Sequence, residues 1–355
     1  MPVSIVVGGQ YGSEGKGKVA QHLTLEKRAA AVVRVGGTNS GHTAVCPTTR
    51  QTFALRQLPA ARIVGADLSP APLVVLPRGS LIDIDILEAE TAQLGLTPGR
   101  DVIVDPLATV ITEADKAAER GSGLREKVGS TLSGVGAALK RRIGRDAPDG
   151  VLAREHARLS SYLADTVDAL TALLARDEHI IVEGTQGFGL SVLDTEHWPK
   201  ATSRVTTADG FFMETRLPLR TTAVDEVAMV LRSYPIRVAG DSGRLENETT
   251  WDKVAQRARR PKGWCEYTTA TNKVRRVGEF EFPVVRQAIR QNAPNRIVLN
   301  HMDYIDPDCG NGTLTPDAMD FVDWVEKGIG QPVDHLGTGP ADLLKRQAFK
   351  VKEAA

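Results

Sequence analysis

The sequence predicts an α/β fold, a single domain over residues 1–355. Its centre is a mostly parallel sheet flanked by helices, and its first loop is glycine-rich and P-loop-like. Three observations predict this. A β-branched run, Ser4–Val7, ends in a loop with five glycines in ten residues, and a helical pattern follows at once. A second apolar strand, Ala31–Val35, comes next, and strands joined through a helix run parallel. Beyond it, short apolar runs alternate with helical periodicity, with no repeat, low-complexity tract or linker between them.

The elements follow in order. Lys16–Arg28 reads as a helix with Val19, Leu23 and Leu25 among its apolar positions. Leu73–Leu76 is a strand. Asp83–Leu94 is a helix that Thr97-Pro98-Gly99 closes. Val102–Val104 is a strand and Thr112–Arg120 a helix. Gly121–Gly144 is glycine-punctuated and basic, with Lys140, Arg141 and Arg142 in a row and Arg145 just beyond. Arg154–Arg176 reads as one long amphipathic helix, and His179–Val182 as a strand running into Glu183-Gly184-Thr185-Gln186-Gly187. Val227–Val238 reads as a strand, Arg257–Lys262 as a basic loop, Arg296–Leu299 as the last clear strand and Ala341–Lys350 as a terminal helix. Loops that follow parallel strands share one sheet edge, where ligands bind.

Composition narrows the function. The chain is 41% hydrophobic and 25% charged, with material for a sizeable core. Lys+Arg and Asp+Glu are both 44, so the net charge is zero and duplex nucleic acid is disfavoured as a partner. Three distant cysteines, Cys46, Cys265 and Cys309, show neither metal spacing nor a disulfide framework, which suits a reducing cytoplasm. The N-terminus enters a strand directly and no apolar run approaches 18 residues, so neither a signal peptide nor a membrane span is expected.

The first loop reads as a phosphate cradle. Glycines let backbone N–H groups approach anionic oxygens, the helix start adds partial positive charge, and Lys16 and Lys18 add full charges. Gly12-x-x-x-x-Gly17-Lys18 almost matches a P-loop, but Val19 stands where the magnesium-binding hydroxyl belongs. Gly36–Thr43 offers amides, hydroxyls and one imidazole, His42, which can exchange a proton near neutrality. As an exposed loop residue, His42 is expected to contribute little to packing. Gly129–Gly136 packs three hydroxyls among three glycines before a cationic run, which suits a second phosphate or a solvated basic helix. Glu183–Gly187, at a strand end, suits a ligand contact or an ordinary turn. Thr268–Gly278 combines hydroxyls with three cations, as a dicarboxylate clamp or a solvated loop would. Asn300-His301-Met302-Asp303 ends a strand with a carboxylate able to read purine N–H groups, and Gly337-Thr338-Gly339-Pro340 makes a tight turn.

Four stretches, Gly9–Lys18, Gly37–Thr43, Glu183–Gly187 and Thr202–Gly210, resemble adenylosuccinate synthetase in order and spacing. The resemblance runs from the first strand to Pro340. It implies a ligase that couples nucleoside triphosphate hydrolysis to joining L-aspartate to the 6-position of a purine monophosphate, with Mg2+ as cofactor. It implies catalytic roles for Ser13, Lys16 and His42, and metal contacts from Ser13 and the Gly41 carbonyl. For the triphosphate it implies Gly12, Ser13, Glu14, Gly15, Lys16, Gly17, Lys18, Gly41, His42, Thr43, Arg275, Asn300, Asp303, Gly337, Thr338 and Gly339. For the monophosphate it implies Ser13, Asn39, Ser130, Thr131, Arg145, Gln186, Thr202 and Lys273, with Arg145 given across a homodimer interface. Thr271, Asn272, Lys273, Val274 and Arg275 match the aspartate loop, although Asn272-Lys273 departs from its usual Gly-Arg. His301 stands where a lysine is usual.

Ser13 stands where the family usually has an aspartate that takes the purine N1 proton and ligates magnesium. A serine hydroxyl is neutral and a poor base, but it accepts an N–H bond. It is also shorter, leaving room for a 2-amino group. This resembles the phage branch of the family, which uses dGMP with ATP or dATP on the way to 2-aminoadenine DNA. The alternatives are an ordinary IMP-dependent enzyme and, from another class, a non-catalytic nucleotide-binding regulator.

Overall fold

The computed structural model describes residues 2–145, 150–268, 273–310 and 312–351. Nine strands form the central sheet: β1 (Pro2–Gly8), β2 (Ala31–Arg34), β3 (Leu73–Leu76), β4 (Val102–Val104), β5 (Ile180–Glu183), β6 (Ala223–Arg232), β7 (Arg296–Asn300), β8 (His335–Leu336) and β9 (Leu344–Lys345). Their order in space is β9-β8-β7-β6-β1-β5-β2-β3-β4. Every neighbouring pair is parallel except β8 with β9. This is the mostly parallel sheet that the sequence predicts.

The central strands are covered on both faces, which is why they read as largely apolar runs rather than alternating ones. Val3, Ile5 and Val7 of β1 point into one core layer with Val33, Val182 and Leu231. Val6 points the other way, into a layer with Val19, Val32, Ile181 and Val230. Helix α1 (Lys16–Lys27) starts at Gly15, whose φ of 96° needs glycine, and has no acidic residue in its first turn. Its amino end therefore keeps its positive character, reinforced by Lys16 and Lys18.

Three expectations are corrected. Arg154–Arg176 is not one helix: two short 3-10 turns, Ala153–Glu155 and Ala157–Tyr162, precede an α-helix confined to Thr166–Ala175. Leu163 turns extended and bridges Val104, and Asp165 caps the helix by accepting the N–H groups of Val167 and Asp168. The Val227–Val238 run is divided at Ser233-Tyr234-Pro235: β6 ends at Arg232, and Ile236–Arg237 joins a separate three-stranded sheet. Ala341–Lys350 is not a helix but β9, a 3-10 turn at Arg346–Ala348 and the start of an edge strand. Among the described residues no helix is long and apolar enough to cross a membrane.

Candidate active site

The loops after β1, β2, β5, β7 and β8 leave the sheet at one edge and meet there. In the first loop Ser13 sits in the left-handed region at φ 58°. Glu14, expected to face a triphosphate, turns its carboxylate inward and is fully buried. It accepts the N–H of Gly12 at 2.8 Å and holds the Lys16 ammonium at 2.7 Å. Glu14 thus shapes the loop and fixes its lysine. A Cβ on Gly187 would stand 2.4 Å from the Gly12 nitrogen, so the loop after β5 packs directly on the loop after β1.

His42 departs from the expectation of an exposed loop residue. It opens a short strand, His42–Val45, paired antiparallel with Thr52–Leu55, and is only 8% exposed. Its Nδ1 lies 2.6 Å from Glu183 Oε1 and 2.7 Å from Arg34 Nη1. Arg34 also donates to that carboxylate at 3.0 Å, and the N–H groups of Ala60 and Ala61 complete it at 3.2 and 2.8 Å. Burial first, and then the Arg34 guanidinium, hold the His42 pKa down to about 3. The ring is therefore neutral, and Nδ1 can take either role. With its proton it donates to Glu183 and leaves Nε2 bare. Without it, it accepts from Arg34, and Nε2 carries the proton. The second form donates a hydrogen bond to an anionic oxygen set against Nε2.

A cleft of about 370 Å3 opens beside these groups, lined by Gly12, Ser13, Lys16, Asn39, Gly41, His42, Ser130, Thr131, Gln186, Thr202 and Arg275. That volume lies in the range of small-ligand sites. Residues from six stretches of sequence, expected to serve one reaction, thus converge on one space. Asn39 Nδ2 lies 3.5 Å from Thr202 Oγ1, and Thr131 Oγ1 lies 3.0 Å from Ser133 Oγ. The 129–136 loop departs from a simple phosphate cradle. The Glu119 carboxylate takes the N–H groups of Gly134 and Gly136, both at 2.8 Å, and of Ala137 at 3.2 Å. The start of the Val135–Ile143 helix is thereby filled, leaving the loop's hydroxyls, Ser130, Thr131 and Ser133, on the cleft lining. Arg141, mid-run among the cations, is bound to Asp115 at 2.7 Å.

On the other flank of the first loop Lys18 donates to the Gly339 and Asp342 carbonyls at 2.9 and 3.1 Å. Burial lowers its pKa to about 8. Asn300 Nδ2 donates to the Glu14 carbonyl at 2.8 Å. Gly337 fits between them: a Cβ there would lie 2.0 Å from Asn300 Oδ1 and 2.4 Å from Lys18 Nζ. Asp303 accepts from Arg260 at 2.9 Å. Lys18, Asn300, Asp303 and Gly337–Gly339 therefore form a second group, outside the cleft lining but joined to it through α1 and its loop. Gly15, Gly17 and Thr43 also lie off the lining, Thr43 exposed beside His42.

The aspartate loop is drawn together only in part. Thr271 and Asn272 lie outside the described residues; Lys273 and Val274 are exposed and off the cleft lining. Arg275 reaches the cleft, paired with Glu266 at 3.1 Å. Glu266 also binds Arg232 and the Tyr304 hydroxyl, the latter at 2.7 Å, and Arg232 Nη1 donates to the Ser13 carbonyl at 3.1 Å. A continuous polar chain thus links Arg275 to residue 13. Arg145 is exposed just past the Val135–Ile143 helix and does not line the cleft.

Sequence reasoning missed Arg34, Glu119 and Arg237. Arg237 lines the cleft with its guanidinium 3.9 Å from the Tyr11 ring centroid, while Tyr11 donates to Glu281 at 2.7 Å. The available signal was a cation within an apolar run, Val33-Arg34-Val35 and Ile236-Arg237-Val238. Buried charge is retained where it has partners or a task.

A family model described as adenylosuccinate synthetase matches residues 5–150 and 149–307. The adenylosuccinate synthetase of Pyrococcus horikoshii is 34% identical over 347 residues, 96% of each chain. That of Methanocaldococcus jannaschii is 32% identical over 344 residues, 95% of this chain and 94% of the relative. Among solved structures, the succinoaminodeoxyadenylate synthetase of cyanophage S-2L, bound to dGMP and to dATP as an energy donor, matches with a TM-score of 0.78 and 28% identity, over 97% of this chain and 95% of that one. The fully ligated adenylosuccinate synthetase of Plasmodium falciparum shares the fold, with a TM-score of 0.81 at 18% identity, over 97% of this chain and 99% of that one. From these matches the chain belongs to the adenylosuccinate synthetase family, whose members are carbon–nitrogen-forming ligases.

Proposed function

We propose that the chain joins L-aspartate to the 6-position of dGMP at the expense of ATP or dATP, releasing a nucleoside diphosphate and phosphate. The observation that carries this reading is Ser13, a neutral, exposed hydroxyl on the cleft lining, while the nearest carboxylate of its own loop, Glu14, is turned inward. A guanine presents N1–H and a 2-amino group along one edge. A short hydroxyl accepts the first and leaves space for the second. The cyanophage S-2L enzyme, solved with dGMP and dATP, supports the same branch.

In this reading Lys16, held by Glu14, neutralises the γ-phosphoryl group in the first loop, and His42 Nε2 donates to it as it moves onto the purine 6-oxygen. Phosphoryl transfer needs placement and charge neutralisation more than covalent help. The N1 proton passes to a phosphate oxygen, because serine cannot hold it. The aspartate amine, its carboxylates held near Arg275, then displaces phosphate from C6. The family implies Mg2+, and the donors here fit it. The Ser13 hydroxyl and Gly41 carbonyl are hard oxygens beside a phosphate loop, in a setting where Mg2+ keeps waters and substrate oxygens as its other ligands. Bound there, it supplies further charge neutralisation at the transferred phosphate. Arg145, exposed beyond its helix, is the residue that a partner subunit would receive in a homodimer.

A second reading, IMP with the ordinary reaction, has support of its own, because the archaeal synthetases are 30–34% identical to this chain. Aspartate-dependent phosphate release, measured in parallel with dGMP and IMP, decides between them. Turnover of dGMP with little of IMP supports the proposal, and robust turnover of IMP alone overturns it. Phosphate release independent of aspartate would argue for a regulator instead of a ligase.

A further inference from the structure

Away from the cleft, the last turns of α1 pack against the start of β8. His22 and Glu26 stand one helical turn apart, with His22 Nε2 3.4 Å from Glu26 Oε2. His335 opens β8 and faces them, its ring centroid 5.6 Å from that of His22 at an interplanar angle of 66°. One ligand atom from each of the three lies within 4.8 Å of the others. None of the three lines the cleft.

His335 is the independent observation. It is 4% exposed, yet neither Nδ1 nor Nε2 has a hydrogen-bond partner among the described residues. Burying an imidazole with both nitrogens unmet is costly, so a partner for them is expected. We propose that His22, Glu26 and His335 hold one divalent transition-metal ion of the zinc class, tying α1 to β8.

Ligand chemistry selects that class. Two imidazoles and one carboxylate suit Zn2+, whereas Mg2+ prefers oxygen alone. Tetrahedral bonds of about 2.1 Å put ligand atoms about 3.4 Å apart, which the His22–Glu26 pair already satisfies and His335 reaches by a small side-chain shift. The neighbouring charge does not exclude a cation. Arg296 grips Glu26 at 2.7 and 2.9 Å and also pairs with Glu226, while Lys27 pairs with Glu226 at 3.1 Å. Two carboxylates thus balance two cations. Arg296 becomes the outer partner that orients the liganding carboxylate.

The two elements so tied meet again at their other ends, where Lys18 of α1 donates to Gly339 just past β8. The metal would therefore stiffen the scaffold of the first loop without touching substrate.

The test uses the full chain, stripped by chelator and dialysed into excess Mg2+. Titration with Zn2+ by calorimetry, and with Co2+ by visible absorption, is expected to show one equivalent bound and a rise in melting temperature. His22→Gln, at a side chain one-third exposed, is expected to fold and to lose at least tenfold in affinity along with the Co2+ band. His335→Gln should do the same, and where it fails to fold His22→Gln decides alone. No stoichiometric uptake by the native chain overturns the proposal. So does unchanged affinity in His22→Gln, or a thiolate charge-transfer band that places the metal on a cysteine.

Discussion

Glu183 Oε1 sits 2.6 Å from His42 Nδ1 and 3.0 Å from Arg34 Nη1, with all three side chains buried. The carboxylate is thus counter-charge for Arg34 and, through that guanidinium, holds the His42 ring in the form that donates from Nε2. Removing its charge leaves Arg34 buried without its partner, a change that costs about 3–5 kcal/mol. Glu183→Gln is expected to lower unfolding stability by about 3 kcal/mol in urea. It should also lower kcat roughly 10–100-fold by freeing the His42 ring, the range seen when an orienting carboxylate is lost. A stability loss with unchanged kcat would show that Glu183 serves the fold alone.

His42 itself was expected to be replaceable without cost to folding. Its burial and its two partners say otherwise. His42→Ala is expected to lower kcat by about 10²–10⁴-fold, the usual contribution of a positioned proton donor. It should also cost about 1–3 kcal/mol of stability, since Glu183 and Arg34 lose a buried partner. Steady-state kinetics and urea unfolding on the same preparation separate the two effects, and near-normal turnover would remove His42 from the chemistry.

Glu14 lies inside the loop, and its role follows from what it holds. Glu14→Gln keeps an oxygen for the Gly12 N–H but removes the charge beside Lys16. The lysine, 2% exposed, then lacks its counter-ion. The expected result is a raised triphosphate KM together with a stability loss of about 3 kcal/mol. A raised KM with stability intact would mean that Glu14 touches the ligand after all.

The sheet and the convergence of the loops were legible because they rest on local pattern. Buried parallel strands are largely apolar, as in Ile5–Val7 and Ala31–Val33, and glycine loops mark their ends. What stayed hidden depends on contacts distant in sequence. Nothing near Glu183 says that its partner is His42, 141 positions earlier. Nothing near Glu119 says that it fills the helix start at Gly134. The Arg154–Arg176 periodicity continued through Leu163, where pairing with Val104 overrides helical preference. The terminal helix failed for the same reason, since β8 recruits Leu344–Lys345 as its antiparallel neighbour.

Ser13→Asp tests the specificity reading directly. Aspartate tolerates the left-handed backbone that residue 13 adopts, so the loop should keep its course. The longer, charged side chain takes the space proposed for a 2-amino group and supplies a base for N1. The ratio of kcat/KM for dGMP over IMP is expected to fall at least tenfold, about 1.4 kcal/mol of discrimination. An unchanged ratio would detach residue 13 from base selection.

Lys18 gives the flank beyond the cleft its own pH signature. Burial lowers its pKa from 10.5 to about 8, so the unliganded chain loses this charge as pH rises through 8. If the proposed triphosphate site includes Lys18, the nucleotide binds the charged form, and its affinity should weaken with pH above that point, by up to tenfold per unit. Folding responds in the opposite sense. Between about pH 8 and 10.5 the unfolded lysine binds a proton that the folded one does not, so this group makes stability rise with pH at about 1.4 kcal/mol per unit. Calorimetric titration with a non-hydrolysable ATP analogue from pH 7 to about 9.5, in buffers of differing ionisation enthalpy, should show proton uptake on binding above pH 8. Lys18→Met should abolish that uptake and flatten the affinity profile. A native profile that is already flat would place the triphosphate out of reach of Lys18 and return this lysine to a purely structural bond with Gly339.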